Sequence, residues 1–445
     1  MDIQAALLGA ARCPACGQAH GTSLLRVDIG RDAWARVAPF LMEQGLSRLL
    51  VVADDITWGV AGQALYALLR KAGLEAIPLV LASGGLLPDE AAIGAVVAAC
   101  PPDVQALVAV GTGTVGDIVK FCSHRVGKPY VAAATAPSMD GFASVAAAMH
   151  LRHMKTTLTA HVPLAIFGDM DTLCQAPMEM IAAGLGDTLG KHNCLNDWDM
   201  GRALTGEYHC PHIEGMVRSS LAACEASLSG LVRRDGDAVA ALAQALVITG
   251  VAMSFAGNSR PASGAEHHLS HYWEMQALFA GRKPALHGLK VGLGTLVTLD
   301  IARALAGWQV NWQAAAAHAR AFDADAFAAR MAALYGPAAP EVIALERAAG
   351  KNAPQRVLAR LQAIRAQWPA LQAALAALPG PERVRDQLAA LGAPTRAGQM
   401  GISAQEVADA VLAAKEMRDR YTVLQLAYDL GAEQAMAERA AGAWA

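Results

Sequence analysis

The sequence predicts an α/β N-terminal domain with a parallel sheet, followed by an all-α C-terminal domain. Apolar runs of strand length alternate with helical patterns through residues 1–165. That repeated strand–helix alternation is the pattern of a parallel sheet with right-handed crossovers. From about Pro177 onward, Ala- and Leu-rich segments of helical period follow one another without a convincing strand.

The strands are expected at residues 48–52, 76–80, 106–110 and 130–133, each a β-branched or Ala-rich run ending near a turn residue. Between and around them, helical patterns cover residues 33–44, 58–72, 89–98 and 116–126. The helical half is interrupted by Gly, Pro and Asn at 206–211, 257–264, 281–284 and 337–340. The expected domains are 1–170 and 171–445. Ligands of such a sheet bind at the carboxyl ends of its strands, near the switch in strand order.

Composition narrows the function. Of 445 residues, 54% are hydrophobic and 17% charged, which excludes a disordered chain. With 36 basic and 39 acidic residues the formal net charge is −3, so no large basic face for nucleic acid is expected. No uninterrupted membrane-spanning run is expected, and Met1–Arg12 has no basic-then-apolar export signal. The eight cysteines are scattered, which with no export signal predicts reduced thiols in a cytoplasm.

Three strand tips carry candidate chemistry. Asp54-Asp55 ends the 48–52 strand, where a carboxylate either accepts ribose hydroxyls or caps the next helix. Gly111-Thr112-Gly113-Thr114-Val115-Gly116-Asp117 links a strand to a helix and suits a phosphate. It is neither a Walker A loop nor G-x-G-x-x-G, and an ordinary glycine turn reads equally well. Thr135 and Ser138 bring hydroxyls and Asp140 a carboxylate to a third tip, and together these tips describe one crevice.

The helical half supplies metal-type residues. Asp187 and Lys191 stand four apart, as on one helical face, and so do His267 and His271; His287 opens a later helix. Two or three histidines with one carboxylate suit a divalent transition metal with an open position. A capping or core histidine is the competing reading. Cys13 and Cys16, with His20, resemble half a zinc site, but no second close cysteine pair follows. The segment reads instead as a solvent-facing loop with free or transiently metalated thiols, peripheral to activity.

The glycine turn 111–117, the loop 135–141, the helix 184–191, the stretch 257–271 and His287-Gly288 occur in this order in one family. The chain resembles the bacterial glycerol-1-phosphate dehydrogenases of the AraM type, a branch of the iron-containing alcohol dehydrogenase superfamily that also includes glycerol dehydrogenase and dehydroquinate synthase. The resemblance covers nearly the whole chain, including the Cys-rich start and residues 418–424. It implies a Rossmann-like sheet in the first domain, a metal- and substrate-binding helical domain, and an active site in the interdomain cleft.

It also implies residue roles. Asp187, His267 and His287 would hold one divalent metal, zinc, nickel or iron, with Asp187, His267, His287 and Asp140 catalytic. Asp54, Gly111, Thr112, Gly113, Thr114, Asp117, Thr135 and Ser138 would hold NAD(P)H, with NAD(H) preferred because Asp54 and Asp55 repel a 2′-phosphate. Asp140, Lys191, Ser259, Arg260, Ser263 and His271 would meet a phosphorylated small-molecule substrate, and Lys290 is a further candidate for its phosphate. The implied reaction is reversible reduction of dihydroxyacetone phosphate to sn-glycerol 1-phosphate, in a cytoplasmic homo-oligomer, a dimer or larger. The rivals are a polyol dehydrogenase, a dehydroquinate synthase-like cyclase and a silent metal-binding scaffold.

Overall fold

A computed structural model describes residues 7, 9, 12–151 and 154–445. Most of the 1–12 segment read for an export signal lies outside the described residues. The chain divides into two compact units, residues 1–188 with 210–262 and residues 189–209 with 263–445. The helices used below are α1 (Ala33–Glu43), α2 (Gln63–Lys71), α3 (Glu90–Ala98), α4 (Gly113–Arg125), α5 (Met178–Leu189), α6 (Lys191–Thr205), α7 (Pro211–Ala226), α8 (Gly236–Ala256), α9 (Ala265–Phe279) and α10 (His287–Ala306).

The first unit is built on β1 (Arg26–Gly30), β2 (Arg48–Asp54), β3 (Glu75–Leu81), β4 (Ala106–Gly111), β5 (Tyr130–Ala134) and β8 (Ala165–Asp169). They form one sheet in the order β1-β8-β5-β4-β2-β3, every pair parallel. From β2 the chain steps outward to β3 and returns to place β4 on the other side of β2. The switch in order therefore falls between β2 and β4. Both faces of a parallel sheet are covered, which explains the unbroken apolar runs of β2, β4 and β5. Leu49, Val51, Ala53, Val108 and Val110 pack with Phe40 and Leu41 of α1 and Leu65 and Leu69 of α2 in one buried core. Each fully buried Val or Leu contributes about 1.5–3 kcal/mol.

The four expected strands are present, each extended by one or two residues. Three features were passed over: the edge strand β1, the inner strand β8, and an antiparallel hairpin of β6 (Ala146–Leu151) with β7 (Met154–Thr159). Among the described residues no strand follows Asp169. Among the described residues one helix has the length and apolarity of a membrane span. α8 is 21 residues long with mean hydropathy 1.9 in its best window, but 78% of that window is buried inside the protein, as in a core helix.

In the second unit, α9 and α10 pack against each other at Gly294. A Cβ there would lie 2.5 Å from the Glu266 carbonyl oxygen, so only glycine permits this approach. Asp197 of α6, almost fully buried, ties this core together. Its Oδ2 accepts the Ala265 N–H at 2.8 Å, fixing the start of α9, and its Oδ1 accepts the Val423 N–H at 2.8 Å.

Candidate active site

In the first unit the three candidate strand tips belong to neighbouring strands, β2, β4 and β5, and so stand side by side at the carboxyl edge. The middle tip is the Gly-Thr-Gly-Thr turn. β4 ends at Gly111 and α4 begins at Gly113, with no side chain capping its N-terminus. The Thr112 hydroxyl is instead 2.5 Å from the Ser138 hydroxyl, joining the β4 and β5 tips. The Thr135 N–H donates to the Gly111 carbonyl at 3.2 Å. An uncapped helix start presents N–H groups and a favourable field to an anion, so the turn fits a dinucleotide phosphate.

Asp54 makes the helix cap weighed for it. Its Oδ1 accepts the Thr57 N–H at 2.6 Å. The neighbouring Asp55 is exposed and accepts N–H groups of Ser83 and Ile56. Hydrogen bonding from Ser83 holds its carboxyl below the usual range.

Asp187 on α5 is fully buried, and its Oδ2 accepts the backbone N–H of Asp140 at 3.0 Å. Gly184, one turn earlier, makes this possible. A Cβ there would lie 1.9 Å from the Pro137 carbonyl oxygen, so α5 lies directly on the 135–141 loop. Asp187 and Lys191 do not share one helix. α5 ends at Leu189, and α6 restarts at Lys191 after Gly190, whose φ −55 and ψ −21 are still near helical. Lys191 is fully buried.

The sequence reading missed Lys120 of α4, which is 2% exposed. Its Nζ donates to the Gly141 carbonyl at 2.6 Å, the Ser144 hydroxyl at 3.0 Å and the Ala146 carbonyl at 3.1 Å, and lies 3.3 Å from Asp117 Oδ1. Asp117 therefore helps Lys120 to hold the segment after Asp140. An apolar stretch of α4 surrounds this lysine, and only its long-range partners disclose its role.

In the second unit three imidazoles gather. The ring centroids of His267 and His287 are 5.2 Å apart, those of His271 and His287 5.7 Å, and those of His267 and His271 6.2 Å. His267 and His271 are buried, and His287 is half-buried at the first turn of α10. His267 is oriented by Glu266, another residue the sequence reading missed. His267 Nδ1 lies 2.8 Å from Glu266 Oε1, which also accepts the Gly264 N–H at 2.8 Å. A carboxylate only accepts, so Nδ1 carries the proton and Nε2 keeps its lone pair for a metal. His267 and His287, the nearest pair of rings, suit a divalent transition metal, and Asp187 offers a buried carboxylate of the matching type.

The phosphate candidates separate. Arg260 is 1% exposed, with its N–H bonded to Asn258 Oδ1 at 2.8 Å. Ser263 is buried, and its carbonyl accepts from Arg420 at 3.3 Å. Lys290 is committed to a buried ion pair with Glu274 at 2.6 Å.

Residues 28–177 match the iron-containing alcohol dehydrogenase family. The glycerol-1-phosphate dehydrogenase (NAD(P)+) of Geobacillus stearothermophilus is 32% identical over 425 residues, 94% of this chain and 96% of that protein. The enzyme of the same name from Halalkalibacterium halodurans is 39% identical over 63% of this chain and 72% of its own length. Among solved structures, glycerol dehydrogenase of Schizosaccharomyces pombe superposes with a TM-score of 0.62 at 17% identity, covering 94% of this chain and 91% of that one. That likeness carries the fold, and the closer sequence relatives carry the family. The chain belongs to the glycerol-1-phosphate dehydrogenase family and has the fold of the iron-containing alcohol dehydrogenases.

Proposed function

We propose that the chain is a metal-dependent sn-glycerol-1-phosphate dehydrogenase that reversibly reduces dihydroxyacetone phosphate, with NAD(H) preferred to NADP(H). The observation that carries this reading is the Glu266–His267 contact at 2.8 Å inside a cluster of three histidines, an arrangement that holds an imidazole in the ligating tautomer. When bound, the nicotinamide supplies the hydride and a divalent metal, zinc, nickel or iron, supplies Lewis acidity at the ketone oxygen.

The chain's residues bind and orient. Asp187, His267 and His287 are the ligands in this reading, and His271 stands toward the substrate. Asp140, whose N–H holds Asp187, faces the substrate hydroxyl or the nicotinamide. Gly111, Thr112, Gly113 and Thr114, with Thr135 and Ser138, take the dinucleotide phosphates, and Asp54 takes the ribose. Arg260, Ser259, Ser263 and Lys191 receive the substrate phosphate, and placing ketone and cofactor at contact distance supplies much of the rate.

The test is oxidation of NADH with dihydroxyacetone phosphate beside unphosphorylated dihydroxyacetone, with chiral analysis of the product. A strong preference for the phosphorylated ketone and formation of sn-glycerol 1-phosphate is the expected result. Equal use of the unphosphorylated ketone overturns it in favour of a polyol dehydrogenase. A cytoplasmic location and a dimeric or larger assembly belong to the same reading, and light scattering after size exclusion checks the assembly.

A further inference from the structure

The N-terminal segment is a solvent-facing loop at Pro14, Ala15 and Gly17–Ala19, but its metal-type side chains turn inward. Cys13 is 1% exposed and His20 4% exposed, and Cys210, fully buried, joins them from the residue preceding α7. Cys13 Sγ lies 3.8 Å from Cys210 Sγ. His20 Nε2 lies 3.3 Å from Cys16 Sγ and 3.3 Å from Cys210 Sγ. All four donor atoms fall within 4.8 Å of one another. All four residues belong to the first unit.

We propose that Cys13, Cys16, His20 and Cys210 form a closed, four-coordinate structural zinc site, separate from the proposed catalytic metal. Cys13 Sγ–Cys210 Sγ at 3.8 Å and the two sulfur–nitrogen contacts at 3.3 Å lie close to the edges of a zinc-centred tetrahedron. With Zn–S near 2.3 Å and Zn–N near 2.0–2.1 Å, its edges are about 3.8 Å between sulfurs and about 3.6 Å from sulfur to nitrogen. Three thiolates with one imidazole in tetrahedral array select zinc over harder or octahedral ions.

The local chain is shaped for it. Cys13 N–H donates to the Gln18 carbonyl and Gly17 N–H to the Cys13 carbonyl, both at 2.8 Å. These bonds close a tight knuckle that turns through Gly17 at φ +75, where a side chain would be strained. The knuckle brings Cys13, Cys16 and His20 to one side. The His20 ring stacks on Phe255 of α8 at 5.8 Å, which sets the direction of its Nε2.

Binding is a balanced exchange: Zn2+ displaces the protons of three thiols, and neutral His20 gives the fourth bond, so three protons are released. No electron transfer is involved. All four positions are filled by protein, leaving no place for substrate. The ion staples the segment before β1 to the residue preceding α7, and His20 rests on α8 through Phe255.

The test uses the full-length protein purified under reducing conditions. Zinc content is expected to fall by about one equivalent in Cys210→Ser and in Cys13→Ser. Cobalt-substituted wild type should show thiolate-to-cobalt charge transfer and intense tetrahedral d–d bands. Cys210→Ser should lose the charge-transfer band, whereas His267→Ala should keep it, because the proposed catalytic set contains no sulfur. Should the cysteine variants fail to fold, the wild-type cobalt spectrum alone decides. Absence of thiolate–cobalt absorption in wild type overturns the site, as does equal zinc in wild type and a folded Cys210→Ser. An intact mass showing a Cys13–Cys210 disulfide in the reductively purified protein also overturns it.

Discussion

The backbone N–H of Asp140 donates to Asp187 Oδ2 at 3.0 Å, joining the loop after β5 to the helix that carries the buried carboxylate. The approach depends on Gly184, where a Cβ would sit 1.9 Å from the Pro137 carbonyl. Backbone on both sides leaves little room to yield. Gly184→Ala is expected to destabilise the protein by about 1–3 kcal/mol, the usual cost of overpacking. It should also lower kcat/KM at least about tenfold, since small misplacements of reacting groups are costly. Urea unfolding and steady-state rates check both. A variant with wild-type values in each would show that α5 can move away without cost.

Glu266 accepts from both the Gly264 N–H and His267, so it sets the ring of His267 rather than touching substrate. Glu266→Gln preserves shape but removes the charge that favours the Nδ1–H tautomer. Metal affinity should fall about 10–100-fold. Chelator competition measures it, and rates at saturating metal should recover most of the lost activity. Unchanged affinity would remove Glu266 from the role of positioning residue.

Lys120 is buried with three oxygen acceptors and Asp117 around its ammonium. Lys120→Met keeps the stem volume and removes three hydrogen bonds from a charged donor, while the Gly141 and Ala146 carbonyls keep the Ser144 hydroxyl as donor. A hydrogen bond to a charged group contributes about 1.5–3 kcal/mol, so a loss of about 3 kcal/mol is expected. Because Lys120 holds the Gly141–Ala146 segment next to Asp140, KM should rise as well. Denaturant unfolding within 0.5 kcal/mol of wild type, an estimate set by ordinary surface substitutions, would show the network to be dispensable.

β2, β4 and β5 were legible because a parallel sheet covered on both faces writes continuous apolar runs, and the edge strand β3 was legible from a run of five apolar residues. β1 was not, because Arg26 and Asp28 alternate with Val27 and Ile29 in a short edge strand. The hairpin of β6 and β7 is small and Thr-rich, without a turn signal strong enough to declare it. His267, His271 and His287 announced themselves by residue type. Glu266 did not, since an acidic residue in the first turn of a helix is ordinary. Cys210 could not be joined to Cys13, Cys16 and His20 by spacing, because 190 residues separate it from His20. Gly184 and Gly294 owe their meaning to backbone on distant segments, which no local pattern records.

Acid should weaken the second unit through Glu416, which is 4% exposed. Burial would raise its pKa, but the ammonium groups of Lys415 and Lys351 and the Asn352 amide outweigh it, and the pKa lies at about 2, against 4.5 ordinarily. A carboxylate depressed on folding stabilises the fold above its unfolded pKa, and that stability is lost as pH falls from 4.5 through 2. Neighbouring Glu346 is shifted the opposite way, raised by burial. Its protonation favours the fold on acidification, but that gain is complete once pH reaches its ordinary value of 4.5. Below that, Glu416 governs this cluster. Thermal melts between about pH 5 and pH 3 should show a steeper decline for wild type than for Glu416→Gln. Parallel slopes would place the acid sensitivity elsewhere.

Cofactor choice rests on Asp54 at the end of β2, beside the switch in strand order. Its Oδ1 is committed to the Thr57 N–H, so Oδ2 is the oxygen that would meet the ribose. A 2′-phosphate would bring negative charge against that carboxylate and against Asp55, whose hydrogen bonds from Ser83 favour its charged form. No arginine follows in Ile56, Thr57 and Trp58 to offset it. The wild type should therefore prefer NADH. Asp54→Ser retains a capping hydroxyl and removes the charge, and Asp54→Asn does so with nearly unchanged shape. Both should raise the NADPH-to-NADH ratio of kcat/KM by about tenfold, the equivalent of about 1.4 kcal/mol. A shift in the serine variant alone would point to cavity shape, because only the asparagine keeps the side chain's size. Equal or better use of NADPH by wild type would place the ribose away from Asp54.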